Sequence, residues 1–210
     1  MSPILITSGP TRQHLDAVRY LTNASSGRMG RALAAAMIEL GHEVVVVTGP
    51  VEVDYPAAAK IVRVVSTEEM LEASQRLFPT CQGVIGVAAP CDYRPVHVAP
   101  GKIQKTGQPL ELHLIETPDV IATLGLQKQS QWLVGFALEV DDQRLRALAK
   151  LEKKHCDLMV LNGPEAIHST ETRVEILDPA GDVVATLSGS KESVARGIAA
   201  TIRNRLISTR

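Results

Sequence analysis

Residues 8–30 read SGPTRQHLDAVRYLTNASSGRMG. The stretch begins where an apolar run (Ile4, Leu5, Ile6, Thr7) stops and ends where an alanine-rich amphipathic segment starts. A strand, a turn and a helix start in that order open an α/β nucleotide-binding domain. The connection is much longer than the handful of residues usual between strand and helix in such domains, which marks either function or disorder. Leu15, Val18, Tyr20 and Leu21, with Arg12 and Arg19 spaced among them, argue for order. The stretch is therefore read as a binding loop.

Its tail, Asn23 to Gly30, has a physical logic of its own. Gly27 and Gly30 let backbone approach a ligand closely, and the free N–H groups of a helix's first turn attract an anion. Ser25 and Ser26 suit either a helix cap or a phosphate oxygen. An ordinary helix start, with glycines serving close helix–strand packing, explains the same residues. On spacing alone the two readings stand level.

Outward from this stretch, strands and helices alternate. Residues 27–40 carry Met29, Leu33, Ala36, Met37 and Leu40 on one helical face and stop at Gly41. Residues 43–48 form a continuous β-branched run, the mark of a strand buried on both faces. A third strand is expected at 60–65 and a capping box at 66–69 opening a helix to about 77. A buried strand at 83–89 precedes a long loop over 89–107. A strand at 110–114, a helix from Pro118 to about 126, a core strand at 132–137, a helix at 141–155 and a buried strand at 158–161 follow. Residues 173–177 and 183–187 read as a hairpin around a five-residue turn, and 190–207 as a closing helix. The pattern implies one domain over 1–210, Rossmann-like, with a mainly parallel sheet covered by helices on both faces and a small hairpin region. Loops leaving strands at 8–27, 88–107 and 136–141 share the carboxyl edge, where ligands gather in such sheets.

Composition narrows the function classes. With 22 Lys+Arg against 23 Asp+Glu the net charge is −1, so no global field recruits nucleic acid or an anionic membrane. One Trp, three Tyr and two Phe are too few for single-strand stacking platforms. No apolar run reaches membrane-spanning length, and a strand follows Met1 almost at once, which leaves no room for a signal peptide. Cys81, Cys91 and Cys156 are dispersed without a CxxC spacing, as expected of reduced thiols in the cytoplasm.

Further candidates each have a plain structural alternative. The segment GVAAPCDYRP at 86–95 could rest a base or sugar against backbone, or serve a tight helix–sheet contact. Lys102 and Lys105 lie in a loop that could cover phosphates or be simply solvated. The helix start at Pro118, Asp119, Val120 and Ile121 could take an anion or cap itself. Arg146, Lys150 and Lys154, four apart, make a basic stripe that could hold phosphates or complement a helix dipole. The six histidines show no ligand-like pairing.

Three motifs in order, SGPTR at 8–12, LDxVRYxxN at 15–23 and SSGxMG at 25–30, resemble the signature of phosphopantothenate–cysteine ligase (phosphopantothenoylcysteine synthetase) of coenzyme A biosynthesis. The resemblance runs on through AAxxDYRP (with Pro90-Cys91 where relatives commonly have Val-Ala), a lysine loop with Gln104 in place of a lysine, PDVI at 118–121 and the paired Lys150 and Lys154, to Asn162. It implies a stand-alone, CTP-dependent bacterial enzyme without a flavin-dependent decarboxylase domain. It implies that Gly86, Val87, Ala88, Asp92, Lys102, Pro118, Asp119, Val120, Ile121, Phe136, Lys150 and Lys154 contact the nucleotide. Arg19, Asn23, Ser25, Ser26, Gly27, Met29 and Ala89 fall to the substrate side, with Asn23 and Lys102 catalytic. The implied partners are 4′-phosphopantothenate, L-cysteine and CTP, with Mg²⁺ arriving on the nucleotide, and members act as homodimers. In this scheme the carboxylate attacks the CTP α-phosphate, and the cysteine amine then displaces CMP from the acyl-cytidylate.

Two other classes fit the opening strand–glycine–helix. A short-chain-type NAD(P) oxidoreductase would show a GxGxxG and a YxxxK pair, neither of which is present. A non-catalytic nucleotide-binding module predicts binding without turnover.

Overall fold

Two apolar runs occupy the middle of the molecule because neither has a polar face to turn to water. In the computed structural model, which describes residues 2–138, 142–162 and 171–208, they form β1 (Ile4–Ser8) and β4 (Val44–Thr48), every residue of both buried. The two pair in parallel from Ile4 with Val44 to Ser8 with Thr48. β6 (Gly83–Gly86) lies on the other flank of β1, and β5 (Lys60–Arg63) outside β4. Beyond β6 come β9 (Trp132–Leu138) and β10 (Leu158–Asn162), also parallel. The antiparallel hairpin β11 (Glu171–Leu177) and β12 (Val183–Ser190) closes that side. The eight-stranded order is β12-β11-β10-β9-β6-β1-β4-β5. The parallel part is the doubly wound order of a Rossmann-like sheet, whose direction of winding reverses between β1 and β6.

Alternate side chains of each strand feed two cores. Ile4 and Ile6 point with Leu33 and Met37 of α1 (Arg28–Glu39) and Ile198 of α5 (Lys191–Ile202) into one. Leu5 joins Met70 of α2 (Thr67–Leu77), Leu124 of α3 (Val120–Gln127) and Leu151 of α4 (Gln143–Lys153) in the other. Ser66 caps α2 as the expected capping box requires, its hydroxyl accepting from the Glu69 amide, but the Glu69 carboxylate reaches one residue further back and accepts from the Val65 amide. The hairpin turn is built by Asp178, whose carboxylate accepts from the amides of Ala180 and Asp182, with Gly181 at φ +88°.

The structure corrects the sequence reading in four places. The strand expected at 110–114 lies further on: residues 111–113 are irregular, Leu110 and Leu112 are exposed, and β8 (Leu114–Glu116) pairs with β7 (Tyr93–Pro95) outside the main sheet. The loop expected over 89–107 thus contains β7. The long opening loop contains a second ribbon, β2 (Arg12–His14) with β3 (Tyr20–Thr22). The closing helix keeps α-helical form only to Ile202 and ends in a π-helical turn at Arg203–Ile207. The end of the loop expected at 136–141 and the first residue of the helix expected at 141–155 lie outside the described residues.

Candidate functional site

Carboxyl ends of β1 and β6 release the two loops that build the site, and a seam of hydrogen bonds joins them. The Ala89 amide donates to the Gly9 carbonyl at 2.9 Å, forming a short bridge between Pro10 and Ala89. The Asn23 side-chain amide donates to the Pro90 carbonyl at 2.8 Å and more weakly to that of Ala89 at 3.4 Å.

Next to it lies a closed ring of hydroxyls. The Cys91 amide donates to Thr11 Oγ1 at 2.7 Å, and Thr67 Oγ1 donates to the Cys91 carbonyl at 3.1 Å. The Thr11 proton is therefore left for Thr67 Oγ1, at 2.8 Å. Thr117 Oγ1 adds a second donor to the Cys91 carbonyl at 2.6 Å. Thr11 and Thr67 are fully buried, so these bonds are shielded from competing water. Both groups of the Cys91 peptide are fixed, and with them the direction of Pro90 and Asp92.

A cavity of about 510 Å³ opens on one side of the seam, at the ends of β1, β6 and β9. It is lined by Gly86, Ala88, Asp92, Pro118 to Ile121, Phe136 and Lys154, all expected to bind nucleotide, and also by Lys153. The Asp119 side chain caps α3 by accepting from the Ala122 amide at 3.0 Å, and it pairs with Lys154 at 3.0 Å. Burial pushes the Asp119 carboxyl up, but the Ala122 amide and the Lys154 ammonium push further the other way, and its pKa lies below the usual aspartate value. The glycines have packing roles as well. A side chain on Gly86 would strike Ile121, and one on Gly125 of α3 would come within 2.1 Å of the Lys154 carbonyl oxygen.

A second cavity, of about 570 Å³, opens at the start of α1. Asn23, Ser25 and Ser26 line it together with Arg12, Arg28 and Lys191. Neither serine caps the helix: Gly27 stands at the cap position with φ +74° and no side chain bonds to the first-turn amides. Those amides and three cationic side chains make this wall electropositive. Arg12 also stacks over Tyr20, its guanidinium carbon 4.4 Å from the ring centre.

The remaining expected residues lie elsewhere. Val87 and Met29 pack against the core beside α1. Gly27, Ala89, Arg19 and Lys150 line neither cavity, although the Ala89 carbonyl accepts from Asn23. Lys102 is exposed in the span 96–113, outside both cavities. Arg19 donates to Asp16 and to the Ile103 carbonyl. Arg146 is exposed to solvent. Sequence reasoning missed Lys153, Arg28 and Lys191. Counting every fourth residue passed over Lys153, because α4 ends there and Lys154 leaves the helical line. Arg28 sat in the variable position of SSGxMG. Lys191 comes from the far end of the chain, with no local signal to link it to Ser25.

Among the described residues no group of three or more His, Cys, Asp or Glu side chains converges to hold a metal ion. No described helix is long and apolar enough to cross a membrane.

Comparisons with known proteins agree with this architecture. The family model described as the DNA/pantothenate metabolism flavoprotein C-terminal domain matches residues 2–206. A coenzyme A biosynthesis bifunctional protein CoaBC from Vibrio vulnificus (strain YJ016) is 37% identical over 186 residues, covering 85% of this chain and 46% of that protein. The chain spans about half the length of the curated relatives it matches. Among solved structures, the C-terminal domain of a coenzyme A biosynthesis bifunctional protein CoaBC superposes with a TM-score of 0.83 at 34% identity, covering 99% of this chain and 96% of that one. A Cab2 mutant in complex with phosphopantothenate-cysteine shares the fold, with a TM-score of 0.80 at 15% identity over 99% of this chain and 88% of its own.

Proposed function

The chain belongs to the DNA/pantothenate metabolism flavoprotein C-terminal domain family, and from that premise we propose that it is a single ligase domain joining 4′-phosphopantothenate to L-cysteine through an acyl-cytidylate. The observation that carries this reading is the pair of similar cavities meeting at the Asn23–Pro90 contact. A condensation that first activates a carboxylate on a nucleotide needs two anionic ligands whose reactive ends meet, and here Lys153 and Lys154 line the cavity on one side of the seam while Arg12, Arg28 and Lys191 line the cavity on the other.

In the first cavity, Phe136 and the backbone at Gly86 and Ala88 receive the base and ribose, with Asp92 beside them. Lys154 and the neighbouring Lys153 hold the triphosphate, helped by Lys150 one turn earlier. Mg²⁺, carried on the nucleotide phosphates, would supply charge neutralisation there. In the second cavity the serines and first-turn amides of α1 receive the phosphate of phosphopantothenate, placing its carboxylate toward Ala89. Lys102 neutralises charge that builds during attack on the α-phosphate. Asn23 gives up its long bond to the Ala89 carbonyl and donates instead to the acyl oxygen when the cysteine amine attacks. No protein nucleophile is required; positioning and charge stabilisation supply the rate. The active species is a homodimer, for which the exposed Tyr93, Leu114 and Ile115 of the β7–β8 ribbon are the natural contact surface.

Pyrophosphate release, measured with phosphopantothenate and either CTP or ATP, with and without cysteine, tests the proposal. Release that requires phosphopantothenate, and turnover that requires cysteine, is the expected result, with CTP the faster nucleotide. A folded protein that binds CTP yet releases nothing would mean a nucleotide-binding module instead.

A further inference from the structure

The span 96–113, which carries Lys102, is held to the molecule at few points. Its base is closed by the Val96 amide donating to the His113 carbonyl at 2.9 Å, and the Ala99 amide donates to the Leu15 carbonyl at 3.0 Å. Beyond Ala99, over residues 100–112, every hydrogen bond to other parts of the chain among the described residues is made by Ile103. Its amide donates to Asp16 Oδ2 at 3.1 Å, and its carbonyl accepts from Arg19 Nη2 at 2.6 Å. Apart from the half-buried Ile103, residues 100–112 are exposed.

The groups that grip Ile103 are themselves over-determined. Asp16 Oδ1 accepts from the amides of Val18 at 2.8 Å and Arg19 at 2.7 Å, while Oδ2 accepts from Arg19 Nε at 2.9 Å and from Nη2. The Asp16 side chain is completely buried and that of Arg19 is not. The carboxylate thus locks the guanidinium in one orientation. The pair then presents one acceptor and one donor at the spacing of a single residue's amide and carbonyl, as a neighbouring strand would. Charge-assisted bonds of this kind are about twice as strong as neutral ones.

We infer that Asp16 and Arg19 are positioning residues, which clamp the span 96–113 at Ile103 and so set where the adjacent Lys102 can reach. The inference about reach rests on the proposed role of Lys102 at the phosphates; the clamp itself stands on the hydrogen bonds alone. It gives the LDxVR segment a task within its own chain. Without the clamp the span is free from Ala99 to His113, and Lys102 samples far more positions than the reaction uses. Misplacement of a reacting group by about 1 Å costs on the order of 10²-fold in rate.

Two variants test this. Asp16→Asn keeps the side-chain shape and replaces one carboxylate oxygen with an amide that cannot accept from Ile103 or Arg19. Ile103→Pro removes the donated amide and keeps the bonds that Asp16 accepts from Val18 and Arg19. The first readout is tryptic cleavage after Lys105 in the ligand-free protein, mapped by mass; trypsin does not cut before proline, so the Lys102 bond is not used. Both variants should be cut on the order of 10-fold faster there, since cleavage follows the population of the open span. The second readout is pyrophosphate release by Asp16→Asn, where kcat should fall by on the order of 10-fold or more while KM for CTP changes little. Unchanged cleavage in both variants overturns the clamp. Faster cleavage with unchanged kcat overturns the positioning role. If the wild-type chain itself releases no pyrophosphate, the ligase reading fails, and the cleavage arm still decides the clamp.

Discussion

At the scale of single residues, Asn23 is held by what it donates. Its amide nitrogen donates to two successive backbone carbonyls of the facing loop, which holds the side chain between the cavities. Removing one preorganised donor from such a position costs about 10²–10³-fold in rate. Asn23→Ala should therefore slow cysteine-dependent amide formation by that factor, read as accumulation of acyl-cytidylate in a single-turnover assay; amide formation at the wild-type rate would remove Asn23 from the chemistry. Lys154 makes a different prediction. Its ammonium is one of the groups that keep the Asp119 pKa below the ordinary aspartate value of 3.8. A depressed carboxyl pKa adds stability above the unfolded value, and that stability is lost as pH falls through the folded one. Lys154→Met removes this stabilising interaction and leaves burial opposed only by the Ala122 bond and the Lys153 charge. The Asp119 carboxyl should then titrate at higher pH, followed by carbon NMR of the side chain. The variant's stability should fall less steeply than the wild type's as the solution is acidified below pH 3.8.

At the scale of elements, the helix that starts at Arg28 depends on how closely it meets β1. A Cβ on Gly30 would lie 2.0 Å from Ser8 Oγ and 2.6 Å from Ser8 Cβ, and Ser8 Oγ is itself a partner of the Tyr55 hydroxyl at 2.8 Å. Gly30→Ala should destabilise the fold by about 1–3 kcal/mol through overpacking. A second change, Ser8→Gly, should recover part of that loss in the same denaturant titration. If Gly30→Ala unfolds at the wild-type midpoint, α1 shifts more freely than the contact implies. The sequence made such elements visible unevenly. β1 and β4 were legible because a run buried on both faces admits only apolar residues. α2 was legible from Ser66, whose hydroxyl accepts from the amide three residues on, and from the Glu69 that stands at that position. The ribbons β2–β3 and β7–β8 were not. Each strand is three residues long and partly exposed, so neither period nor apolarity builds up enough to show. Leu110 and Leu112 alternate like a strand yet stand in solvent, and the strand itself begins at Leu114.

At the scale of the whole molecule, the reversal of winding between β1 and β6 decides where chemistry can occur. It separates two loops that would otherwise run side by side, leaving space beyond the strand ends. The residues that close this space come from distant parts of the chain: Asn23 from the first loop, Pro118 to Ile121 from α3, Lys154 from the end of α4, Lys191 from the start of α5. Their convergence follows from topology, and no local pattern announces it; hence Lys191 was invisible in the sequence, while Asn23, set inside a long ordered loop, was not.

The contact between Gly125 and the Lys154 carbonyl bears on how this cavity could be targeted. Main chain meets main chain there, so the wall carrying Asp119 and the wall carrying Lys154 are fused into one preformed mould. An inhibitor shaped to that mould would be recognised by features that no side-chain replacement can trim away. Resistance by point substitution would have to arise at side chains that line the cavity away from that contact, such as Phe136 or Tyr93.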